Sequence, residues 1–284
     1  ITISKLVPLT LFIAIGIFFI NGANFTPVFP QDTYVDGSFA QAAVLLFFAY
    51  TGFEVIAIAA EDMKNPKKNL PRAIIMCMLL VSVLYMAILA VSIGVLGTDL
   101  ANTKAPVQDA FNVIVGPIGM YIVLIGTLIS MGGINFAEAY YAPRVATSMA
   151  EDGMLPSALA KRNRYNAPYV AAIVTAIASV LLAWSGSFTT LAAISAVSRF
   201  TQYLPTCLAV IIFRRKWADK ARSYTIPGGY LIPVIAIGTS LWMLAQAQTN
   251  QLLWGLGGCI VILPFYYSYW KKKKAGLIKD HDEM

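Results

Sequence analysis

Histidine is nearly missing from this 284-residue chain, cysteine is scarce and charge is thin. The single histidine, His281, stands in a polar tail, which excludes an imidazole as a buried catalytic or metal-ligating group. Cys77, Cys207 and Cys259 all fall within apolar runs rather than loops, so nothing points to a disulfide or a metal site. There is no G-x-S-x-G and no H-E-x-x-H, and so no nucleophile or metal cluster for an intramembrane enzyme; neither an enzymatic activity nor a cofactor is expected. Charged residues make up 12% of the chain against about 25% in an ordinary soluble domain, and hydrophobic residues make up 58%. That balance belongs to a membrane protein.

Crossing about 30 Å of hydrocarbon takes roughly 20 apolar residues. Runs of that kind lie near 1–20, 39–60, 73–96, 118–142, 168–184, 189–213, 229–247 and 252–270, which predicts eight membrane-spanning helices in an all-α, multi-pass chain. Ile1 already lies within an apolar run with no basic leader, so the chain is expected to be the C-terminal part of something longer. All but three of the 21 basic residues sit in the loop with Lys64 to Arg72, the segment with Arg144 and Lys161 to Arg164, the loop with Arg214 to Arg222, or the tail from Lys271 to Lys279. The alternate loops contain only Lys104. By the positive-inside rule the basic loops and the C-terminus are cytoplasmic. The net charge of +7 is therefore a topology signal, not the footprint of a nucleic-acid-binding surface.

Lys5, Glu54, Glu138 and Arg199 are the ionisable residues within the spans. Arg199 lies about 16 Å deep at about 1.5 Å per residue, too far for easy snorkelling. Ser195, Arg199, Gln202 and Thr206 follow at helical steps on one face, which is expected to look into the bundle. A structural ion pair and a place in a transport pathway both account for Arg199. Glu138 is near the end of its span, on a helix with a small-residue stripe of Gly126, Ser130, Gly133 and Ala137; helix packing is the default reading there, with Ser130 available as a hydroxyl partner. Lys5, about 24 Å down its helix, is shallow enough to snorkel.

Between Phe47 and Ile74 the chain reads FFAYTGFEVIAIAAEDMKNPKKNLPRAI. Tyr50, Thr51, Gly52 and Glu54 bring hydroxyls, permissive backbone and a carboxylate together at mid-depth. A helix that unwinds there frees carbonyls to accept from an ammonium group, and the second half-helix presents the positive end of its dipole. This combination points to a transporter. A channel or a structural subunit needs neither feature.

This stretch resembles the sixth-helix signature of the amino acid, polyamine and organocation (APC) transporter superfamily, with its G-F-E core, acidic pair, N-P and basic P-R turn. APRVATSMAEDGMLPSALAKRNRYNAP resembles the loop after the family's eighth helix, ISKLVPLTLFIAIG its fifth helix, and LPTCLAVIIFRRK the end of its tenth. The fold implied is the leucine-transporter type, two inverted five-helix repeats followed by two further helices. On that mapping residues 1–20 are the last helix of the first repeat, 38–213 the second repeat, 229–270 the two added helices and 271–284 a cytoplasmic tail, all in one membrane domain that lacks the family's first four helices.

The resemblance implies secondary active transport of an amino acid across the plasma membrane by alternating access, with exchange as the alternative. Phe48, Tyr50, Thr51, Gly52 and Glu54 would form the remaining half of the substrate site, carbonyls around Phe48 to Thr51 would face the amine, and Phe47 or Phe48 would help occlude it. Lys5 would stand where sodium-dependent relatives bind a cation, with Ser130 as neighbour. A desolvated lysine can exchange its proton, so the coupling ion implied is a proton and no metal.

Overall fold

The computed structural model describes residues 2–27, 37–54, 56, 63–218, 222 and 224–274, and all regular structure among them is helical. The helices are α1 (Thr2–Gly16), α2 (Ser38–Ala49), α3 (Pro66–Leu96), α4 (Pro106–Val115), α5 (Pro117–Glu151), α6 (Tyr169–Ser185), α7 (Phe188–Lys216), α8 (Leu231–Gln246) and α9 (Thr249–Lys274). Helices based on α3, α5, α7 and α9 are long and apolar enough to cross a membrane; the apolar helices α1, α2, α6 and α8 are shorter. Their positions follow the expected runs, and the count of eight spans remains an expectation.

Two compact units divide the chain. In the first, residues 1–35 and 72–138, Phe12 of α1 and Phe111 of α4 meet edge to face with centroids 5.6 Å apart, around Val91, Ala110 and Val123. Gly126 lets α5 approach α1: a Cβ there would stand 2.5 Å from Pro8 Cγ. The backbone N–H of Asn21 and the side-chain amide of Asn24 both donate to the Gly94 carbonyl, at 3.0 and 2.8 Å, which ties the segment after α1 to the end of α3.

In the second unit, residues 36–71 and 139–284, α7 is central. Ala192, Ala193, Ala196, Val197 and Phe200 form its buried face, with α2 on one side through Val44 and α9 on another through Gly255. Within a bilayer, lipid competes with apolar side chains as a solvent, so helices are held by close contact of small residues rather than by exclusion of water. This is why alanines and glycines occupy the contacts while Trp184 is 83% exposed.

Two segments expected to be loops are helical. Residues 97–117 contain α4, which Pro106 opens at its first turn and whose Ala110 and Phe111 are buried. The eighth-helix segment does not stop near 142: α5 continues through Pro143 to Glu151. Arg144 donates to the Tyr140 carbonyl at 2.9 Å, and the buried Thr147 hydroxyl lies 2.8 Å from the Pro143 carbonyl and 3.2 Å from that of Leu159, holding the following loop against the extension.

Candidate functional site at the break after α2

Helix α2 ends at Ala49, where the sequence places hydroxyls and glycine. Tyr50 and Thr51 close a tight turn, their N–H groups donating to the Phe47 and Phe48 carbonyls at 3.1 and 3.0 Å. Gly52 then takes φ +106°, a conformation that L side chains rarely adopt. Space for a Cβ at Gly52 is open, so the demand for glycine is set by the backbone alone. The Phe48 carbonyl also accepts from the Thr51 hydroxyl at 2.7 Å, so a further donor arriving at this oxygen would compete with that hydroxyl. The second half of the expected broken helix, at 55 and 57–62, lies outside the described residues.

Glu54 anchors this turn. One carboxylate oxygen, Oε2, accepts the Gly52 N–H at 2.6 Å. The other, Oε1, accepts from the Arg199 guanidinium and from the Tyr203 hydroxyl, both on α7. The ion pair is part-buried, the Glu54 side chain 15% exposed and that of Arg199 31%. Arg199 Nε is buried without a hydrogen-bond partner among the described residues.

Aromatic rings enclose the same place. Phe47 stacks on Phe200 at 4.7 Å and meets the edge of Tyr203 at 5.8 Å; Phe53 tilts against Tyr203 at 5.9 Å, and Phe48 meets Phe188 edge to face at 6.1 Å. One helix end and α7 thus hold a carboxylate, a guanidinium, a phenol and five phenylalanines around exposed backbone.

Phe47, Phe48, Thr51, Gly52 and Glu54 stand together at the break, and the structure adds Arg199 to them through a direct ion pair with Glu54. Tyr203 escaped the sequence reading, although it stands one turn beyond Arg199, where a hydroxyl can reach the same partner. The expected polar face of α7 is only partly inward: Ser195 and Arg199 are half-buried, while Gln202 and Thr206 are exposed because the buried face ends with Phe200. Glu138 is exposed and has no ion pair among the described residues. Ser130 is half-buried on α5, one turn from Gly126. Lys5 is on α1, one turn from Pro8, and its side chain lies outside the described residues.

Residues 1–269 match the family model described as "Amino acid permease". The chain belongs to this family of the APC superfamily. It is 29% identical over 277 residues to the branched-chain amino acid permease BcaP of Bacillus subtilis (strain 168), covering 95% of this chain and 58% of that protein. Identity to the methylthioribose transporter of the same organism is also 29% over 277 residues, covering 96% and 59%. To its serine/threonine exchanger SteT it is 28% over 282 residues, covering 96% and 64%. The chain thus spans about three-fifths of the length of these relatives, and with its apolar helices it is a multi-pass membrane protein.

Proposed function

We propose that this permease-family chain is the C-terminal part of a secondary active amino acid carrier that works by alternating access. The observation that carries the reading is the break at Tyr50 to Gly52, fixed by Glu54 and walled by aromatic rings, in a chain that matches the permease family along nearly its whole length. On this reading the fold is the leucine-transporter type with eight spans, 38–213 is the second inverted repeat, and the C-terminus is cytoplasmic in the plasma membrane. The turn after α2 receives the substrate amine, with Phe47 and Phe48 as the occluding aromatics.

Coupling is assigned to a proton through Lys5 and Ser130. In the antiparallel arrangement that the charge topology gives α1 and α5, the close approach of Pro8 and Gly126 supports the placement of Lys5 and Ser130 at one level, a turn further toward the cytoplasm. The test is uptake of a panel of labelled amino acids into proteoliposomes holding the complete protein, with an inward proton gradient or a sodium gradient. Saturable, proton-driven, sodium-independent uptake is expected, and Lys5→Ala is expected to abolish the gradient-driven part while sparing exchange. Sodium-dependent uptake, or a Lys5→Ala protein that still concentrates substrate along a proton gradient, would remove the coupling assignment.

A further inference from the structure

The charges that meet at the break cancel. Glu54 accepts three hydrogen bonds, from Arg199, from Tyr203 and from the Gly52 N–H, so most of its acceptor capacity is taken up by the protein and its charge is matched by the guanidinium. Arg199 gives Nη1 to that carboxylate, which also matches its charge, and its buried Nε–H has no partner among the described residues. Among the described residues the wall beside the pair is apolar: the rings of Phe47, Phe48, Phe53, Phe188 and Phe200. An amino acid zwitterion brings one ammonium and one carboxylate, which balance. A lysine or glutamate side chain adds a third charge, which would lose its water against this wall and gain no counter-charge.

We propose that this half-site selects amino acids whose side chains are uncharged and apolar, and that the Glu54–Arg199 pair is the specificity determinant that keeps the wall neutral. The inference rests on the carrier reading above and adds the substrate class to it. Removing either partner exposes the other, so each single neutralisation shifts preference toward the charge opposite to the one left behind.

The test is competition against the best-transported labelled amino acid by leucine, phenylalanine, lysine and glutamate, in proteoliposomes holding the complete protein. In the wild type, leucine and phenylalanine are expected to compete at least about tenfold better than lysine and glutamate, a difference of about 1.4 kcal/mol. Arg199→Met is expected to raise the competition by lysine relative to leucine, Glu54→Gln that by glutamate, and the double variant to restore the wild-type order. A charged amino acid as the best wild-type competitor, or the same rank order in both single variants, would overturn the proposal. Thermal stabilisation of the detergent-solubilised wild type by the same four amino acids tests it without any variant: equal stabilisation by lysine, glutamate and leucine would also overturn it. If no amino acid is transported or stabilises the protein, the carrier reading falls and this inference with it. If lysine and leucine act equally, only the inference falls.

Discussion

Gly52 carries the shape of the site in two dihedral angles. Its φ of +106° costs an L side chain roughly 1–2 kcal/mol, and no neighbouring atom adds to that cost. Gly52→Ala is therefore expected to reach the membrane at near-normal levels and to transport poorly, measured as uptake per amount of folded protein. Gly228→Ala is the matched control, since φ there is +77° with equally open space, and uptake is expected to persist. Glu54 and Arg199 behave as a unit. Losing one partner of a buried pair costs about 3–5 kcal/mol, and the 31% exposure of the Arg199 side chain puts the cost at or below the lower end. Thermal unfolding should show Glu54→Gln or Arg199→Met destabilised by more than the double variant, which leaves no charge uncompensated. A charge exchange would restore the ion pair alone, because an arginine at position 54 offers no acceptor to the Gly52 N–H or to Tyr203.

The contact between α7 and α9 depends on a glycine with no room to spare. A Cβ at Gly255 would lie 2.7 Å from Val197 Cγ1 and 3.0 Å from the Ile194 carbonyl, so Gly255→Leu should force the helices apart at about 1–3 kcal/mol. Gly258, on the same helix with nothing within 4 Å, should accept leucine with little change in thermal unfolding. The contrast explains what could be read from sequence and what could not. Long apolar runs betray helices because hydrocarbon leaves the backbone no alternative, so α3, α5, α7 and α9 were legible. The break was legible because Thr51, Gly52 and Glu54 violate that rule together. Helix α4 was missed because its burial rests on Ala110 and Phe111 meeting Phe12, a contact between segments distant in sequence. The extension of α5 was missed because Pro143 reads as a stop, whereas the hydrogen bonds of Arg144 and Thr147 carry the helix past it. Tyr203 was missed for a similar reason: a tyrosine on an apolar helix signals nothing until its partner is in place.

Across the whole molecule, the near absence of charge from the spans makes the few charges that remain informative. Basic residues crowd alternate loops, and the ion pair joins the turn after α2 to α7 within one compact unit. The carrier proposed above rests on a neutralised pair and several phenylalanines beside a helix break, in a membrane chain of the permease family. The measurement that tests this most directly is counterflow of labelled L-amino acid into proteoliposomes that hold the complete protein and are preloaded with the unlabelled compound. The account predicts a transient, saturable, stereoselective overshoot that Gly52→Ala suppresses. Flux that rises linearly with concentration and does not distinguish L from D, or an overshoot unchanged by Gly52→Ala, would contradict it.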